Sequence, residues 1–105
     1  MHFLAIDGVN PIGTVRLVYP PISDEYKLGR LAVRKAGRGR GIAQLLVAEL
    51  EKAARDRGAD VVYAGAQVPV RPFYEKRGYI STGQEYLDEG QPHIMMVKDL
   101  ISAKA

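Results

Sequence analysis

The chain has no cysteine, no tryptophan and only two histidines among its 105 residues. Without thiols there is no disulfide framework, no thiolate nucleophile and no cysteine-based zinc site. His2 and His93 lie too far apart in sequence to suggest a histidine-rich metal centre, so no metal is expected. Long hydrophobic runs are missing too: no apolar stretch approaches the ~18 residues of a membrane span. The segment from Met1 to Asp7 is too short and too soon acidic for a signal peptide, which predicts a cytoplasmic setting with no membrane partner. Charge is nearly balanced, with 15 Lys and Arg against 12 Asp and Glu for a net +3. That surplus fits an anionic partner and is too small to require a nucleic acid.

What remains, 47% hydrophobic and 26% charged residues with no repeat or linker, describes one ordinary globular domain over residues 1–105. Phe3 to Ile6 and Ile12 to Tyr19 read as a strand hairpin around the turn-forming stretch from Asp7 to Pro11. After the loop that holds Pro20 and Pro21, Tyr26 to Arg34 reads as a third strand. Ile42, Leu45, Leu46, Leu50, Ala53 and Ala54 recur at steps of three and four, so residues ~40 to 57 form an amphipathic helix that stops at Gly58. Asp60 to Ala66 is a buried strand and Pro69 to Arg77 a short helix closed by Gly78. Tyr79 to Leu87 and His93 to Lys98 are two more strands around a turn from Asp88 to Pro92. This order predicts an α/β (α+β) fold: a mixed, mostly antiparallel sheet of about six strands with a central strand-helix-strand crossover.

Between the third strand and the long helix, three glycines alternate with two arginines in Gly37-Arg38-Gly39-Arg40-Gly41. A glycine-rich turn entering a helix presents unpaired backbone N–H groups at the positive end of the helix dipole, a natural phosphate site, and arginines add charge-assisted bonds from the rim. No Lys-Ser or Lys-Thr follows, which excludes a P-loop, and Gln44 stands where the Rossmann fingerprint needs a third small residue. Arg34, Lys35, Arg38 and Arg40 cluster as in a nucleic-acid binder, but no aromatic residues interleave with them for base stacking.

The stretch from Leu31 to Ala43 resembles the acyl-CoA signature of the GNAT superfamily of N-acetyltransferases, Arg/Gln-x-x-Gly-x-Gly/Ala, met by Arg38, Gly41 and Ala43. A second family motif, Asn-x-x-Ala-x-x-apolar-Tyr-x-x-x-Gly-Phe, is similar to the run from Gln67 through Val70, Phe73, Tyr74 and Gly78 to Tyr79. Ala66-Gln67, Phe73-Tyr74-Glu75 and the tail from Leu87 to Met96 resemble the ElaA-like subgroup of bacterial acetyltransferases. The family domain opens with a strand and two helices that wall the acceptor site, and this chain starts at what matches the family's second strand. A homodimer that supplies the wall is one expectation; a non-catalytic acyl-CoA-binding module is another.

The resemblance implies acetyl-CoA as cosubstrate and direct transfer of its acetyl group to a primary amine. It implies that Leu31, Ala32 and Val33 pair through their backbone with the pantetheine arm, a donor near Val33 polarising the thioester carbonyl. The pyrophosphate would lie on Arg38, Gly39, Arg40, Gly41, Ile42 and Ala43, with Phe73 and Gln67 along the cofactor arm, unless Gln67 is only a polar strand-end residue, and Arg71 toward the 3′-phosphate or adenine edge, or merely in water. Tyr74 would protonate the departing thiolate, although a tyrosine opening an apolar helix face is also an ordinary core residue. His93 is a candidate base for the amine, against a structural role at a strand start. Glu25, Asp88 and Glu89 would attract a cationic acceptor, or lie merely solvated. The acceptor itself is not legible.

Overall fold

The computed structural model describes residues 1–101. Six strands form one sheet in the order β1-β2-β3-β4-β6-β5. They are β1 His2–Asp7, β2 Asn10–Val18, β3 Lys27–Val33, β4 Val61–Gln67, β5 Ile80–Asp88 and β6 Gln91–Asp99. Two α-helices, α1 Ile42–Asp56 and α2 Arg71–Glu75, and two 3-10 turns, Lys35–Gly37 and Val68–Val70, complete the element order. Every pair of neighbours is antiparallel except β3 with β4, which are parallel and joined through α1. The sheet is therefore mixed and mostly antiparallel, with the crossover in its middle.

The strands alternate because one face is buried. Val62, Ala64 and Ala66 of β4 enter the core while Tyr63, Gly65 and Gln67 point to the opposite face. Val15 and Leu17 of β2, Leu28 of β3 and Met96 of β6 meet Leu46, Val47, Leu50 and Ala54 of α1 on the buried side, called here the inner face. α1 packs closely there: a Cβ on Gly13 of β2 would lie 3.0 Å from atoms of Ile42 and Leu46. One charge enters this core, Glu51, whose carboxylate accepts from the Tyr79 hydroxyl at 2.8 Å and from Lys98 Nζ at 3.0 Å. Both its oxygens are thereby satisfied.

Two boundaries differ from the sequence reading for local reasons. The β5–β6 turn shrinks to Glu89 and Gly90, both left-handed with φ 51° and 75°, the geometry that closes a two-residue hairpin and carries Gln91 and Pro92 into β6. The expected helix from Pro69 divides into a 3-10 turn, Val68–Val70, and α2.

Candidate active site

β3 and β4 pair only at Lys27 with Tyr63 and at Leu28 with Ala64. Beyond that point they part, and the cause is in β3. Between the pairs Thr14–Ala32 and Arg16–Gly29, β3 carries one residue more than β2, a β-bulge in which Arg30 takes φ 55°. Simple alternation from Leu28 would point Arg30 into the core. The bulge turns Leu31 inward instead, against the apolar cluster, and leaves Arg30 exposed on the outer face.

The gap holds a cavity of about 560 Å³ that crosses the sheet. Leu31, Ala66, Val70 and Tyr74 line its inner side; Lys27, Arg30, Tyr63, Gln67, Tyr86 and His93 line its outer side. A second cavity, about 260 Å³, opens between Val33, the glycine turn from Gly37 to Gln44, and Phe73. Since Phe73 and Tyr74 are adjacent on α2, one short helix borders both spaces.

Backbone builds the second cavity. Gly39 and Gly41 are left-handed, φ 77° and 73°, and Gly41 is the N-cap of α1 with no side chain capping it. The first intrahelical bond runs from Leu45 N–H to the Gly41 carbonyl, which leaves the amides of Ile42, Ala43 and Gln44 for an anion at the helix's positive end. The first turn contains no acidic residue. On the facing strand, Arg34 N–H donates to the Ile12 carbonyl at 2.7 Å, so Gly13–Val33 is a non-hydrogen-bonded pair. The main-chain groups of Val33 then point away from β2 into the gap, where an extended ligand can pair with them as a strand would.

Tyr74 is the buried hydroxyl of the first cavity, 4% exposed, with its ring edge-on to Phe73 at 5.2 Å and to Tyr79 at 5.3 Å. Its hydroxyl bonds to no other described residue. Burial pushes its pKa up to about 12, so it is a neutral phenol throughout the physiological range. On the outer side, His93 Nδ1 lies 2.8 Å from the Gln91 carbonyl and its ring stacks on Tyr86 at 5.4 Å. A carbonyl only accepts, so Nδ1 is the donor of this contact, and in the neutral ring the lone pair falls on Nε2.

The other anticipated residues are sorted by the fold. Arg38 lines the glycine-turn cavity, and its Nε donates to the Val33 carbonyl at 3.4 Å. Arg40 pairs with Asp7 at 3.1 Å and lines neither cavity. Arg71 also lies outside both, paired with Glu75 at 3.2 Å on α2. Ala32 borders a shallow apolar patch with Leu4 on β1. Sequence reasoning missed Arg30, Tyr63, Gly65 and Tyr86. The signal for the bulge was present in the apolar spacing of β3, where Leu28, Leu31 and Val33 step by three and then by two.

Residues 1–100 match the family profile described as the acetyltransferase (GNAT) domain. The chain belongs to the GNAT acetyltransferase family. An uncharacterized N-acetyltransferase of Bacillus subtilis, YjcF, is 40% identical over 100 residues, covering 93% of this chain and 69% of that protein. Among solved GNAT-like structures, Escherichia coli ElaA superposes with TM-score 0.82 at 28% identity, covering 93% of this chain and 67% of that one. An acyl-CoA N-acyltransferase from Pseudomonas aeruginosa gives TM-score 0.83 at 27% identity, over 92% of this chain and 66% of that one. The chain thus spans about two thirds of the length of these GNAT proteins and is similar to the ElaA-like branch. No helix among the described residues is long and apolar enough to cross a membrane, and no group of residues there would hold a metal.

Proposed function

We propose that the protein transfers an acetyl group from acetyl-CoA directly to a primary amine. One observation carries this reading: the buried, neutral and otherwise unbonded hydroxyl of Tyr74 opens into the same cavity as the bulged strand, beside a backbone anion site. Acetyl-CoA fits the two cavities in sequence. Its pyrophosphate takes the amides of Ile42 to Gln44 with Arg38 at the rim, and its pantetheine arm pairs with the Val33 main chain. The acyl end then reaches Leu31, which shares a cavity with Tyr74, whereas Val33 lines the glycine-turn cavity. The oxyanion donor is therefore assigned to the backbone at the bulge rather than to Val33 itself.

The amine enters from the outer face and attacks the thioester carbonyl carbon, forming a C–N bond. The tetrahedral oxyanion is held by backbone N–H, and its collapse breaks the C–S bond. The leaving thiolate takes the Tyr74 proton, a transfer for which a phenol held neutral by burial is suited. The attacking amine loses its own proton through water to His93, whose neutral ring, with Nδ1 donating to the Gln91 carbonyl, offers the Nε2 lone pair. No covalent enzyme intermediate is required, in keeping with a chain that has no cysteine.

Calorimetric titration of the protein with acetyl-CoA, with NAD and ATP as controls, followed by an assay of free CoA released with a panel of primary amines, tests the reading. The expected outcome is binding of acetyl-CoA alone and amine-dependent CoA release. Binding without release to any amine would make the protein an acyl-CoA-binding module, and no heat with acetyl-CoA would overturn the cofactor assignment.

A further inference from the structure

The outer half of the sheet-crossing cavity is polarised. Lys27 and Arg30 stand on its β3 wall, and Asp88 stands across from them at the end of β5. The other acids near it do not face a ligand freely: Glu25 lies 3.9 Å from Lys27 and near enough to the Tyr63 hydroxyl for its charge to raise that group's pKa, and Glu89 is outside the lining. Arg30 differs from both lysine and acids. Among the described residues its side chain makes no ion pair or hydrogen bond. It also occupies the left-handed conformation, at φ 55°, that usually falls to glycine and is strained for a residue with a side chain. A long cationic side chain in that backbone position, unpaired, at the mouth where the acceptor enters, is a group left for a ligand.

We infer that the acceptor is an amine that also carries an anionic group, a carboxylate or a phosphate, and that Arg30 is the residue that selects it. The inference deepens the acetyl-transfer reading and rests on it for the identity of the site. Arginine presents a planar fork that matches a carboxylate or phosphate with two parallel bonds. Lys27, half engaged by Glu25, adds a second positive charge behind it. Asp88 across the cavity offers the opposite charge to an ammonium, so a molecule with both charges aligns across the gap while a purely cationic amine meets Lys27 and Arg30. The stacked rings of Tyr86 and His93 give a flat wall between these poles.

The discriminating variant is Arg30→Gly, because glycine adopts φ 55° without strain and so keeps the bulge while removing the guanidinium. The probes are L-alanine, β-alanine and aminoethyl phosphate, set against alanine amide and ethanolamine, which lack the anionic group. With the parent protein, kcat/KM is expected to be at least tenfold higher for an anionic amine than for its uncharged counterpart. The substitution should collapse that ratio to near one through a rise of about ten- to a hundredfold in the KM of the anionic acceptor. The carboxylate and phosphate probes tell the two anion sources apart. Preference for the uncharged amines in the parent, or a preference that survives in Arg30→Gly, would overturn the inference. Calorimetry of the CoA-loaded protein with the same probes separates the two readings: anion binding lost in Arg30→Gly without transfer to any probe keeps the anion site and removes the transferase. Transfer to uncharged amines with no anion binding does the reverse.

Discussion

The two halves of the sheet-crossing gap are made of different material. On the inner side, where α2 joins the gap to the glycine-turn cavity, the ligand-facing groups are largely main chain: the amides at the start of α1, held by left-handed Gly39 and Gly41, and the backbone of Val33 turned from its partner strand. On the outer side they are side chains from three strands, Arg30 of β3, Tyr86 of β5 and His93 of β6. A backbone site depends on where glycine is permitted and where a helix begins, and it serves any ligand with the same phosphate and pantetheine geometry. A side-chain site can change its charge without changing the fold, so this is the half in which an acceptor is chosen. Tyr74 stands at the boundary, buried with the inner core and open to the shared cavity.

The largest test of that boundary is Tyr74→Phe. Removing the proton donor while keeping the ring should lower kcat by about a hundredfold or more, and the Kd for acetyl-CoA should stay within about twofold. Loss of rate and affinity together would mean that Tyr74 only packs, and the two halves could not be separated there. A pH measurement sharpens this. Burial raises Tyr74 to about 12, above the ordinary tyrosine value of ~10. Stability from the neutral phenol is therefore fully present below pH ~10 and is lost as pH rises toward 12. The kcat profile should show no alkaline limb from this group below pH ~10, and alkaline unfolding should begin later in Tyr74→Phe than in the parent.

The same contrast governs what could be read from the sequence. The Gly-Arg turn announces the inner half because glycines between a strand and an amphipathic helix have few other uses, and the spacing of Arg38, Gly41 and Ala43 is local in the chain. The six strands and the crossover were legible for a related reason, since apolar period and turn residues are local signals too. The outer half is not local. Arg30, Tyr86 and His93 meet only after β3 bulges and β6 inserts between β4 and β5, an order that no stretch of sequence states. Arg71 shows the converse case: a basic residue beside a recognised motif invites a phosphate role, and what the sequence does not state is its pairing with Glu75 four residues along the helix. Arg40 is likewise engaged, with Asp7.

Next in size is Gly41→Val, which acts on the backbone half alone. A β-branched residue at φ 73° costs about 1–2 kcal/mol and sets a side chain where the pyrophosphate approaches the helix. Acetyl-CoA affinity should fall about tenfold or more by calorimetry, while kcat at saturating acetyl-CoA and the ranking of acceptors stay as in the parent. A changed acceptor ranking would show that the glycine turn reaches into acceptor choice, and the division between the halves would fail.

The smallest effect, and the one that probes the outer half without touching a charge, is expected from Gly65→Ala. Gly65 lies on the outer face of β4, and a Cβ there would collide with the hydroxyl of Tyr86. The hydroxyl is the far end of a half-buried side chain, so the ring can swing aside and the sheet need not shift. What is lost is the ring's seat against β4 and its stacking on His93, which is 5.4 Å away in the parent. Stacking of this kind contributes about 0.5–1.5 kcal/mol, so acceptor KM should rise severalfold. Acetyl-CoA affinity should move by less than about twofold, because the glycine turn and Val33 line a different cavity from Tyr86. Circular dichroism and the thermal midpoint would be followed alongside. A cofactor affinity that falls as far as the acceptor's would mean that Gly65 supports the whole gap, and that the outer half is not an independent surface on which specificity is set.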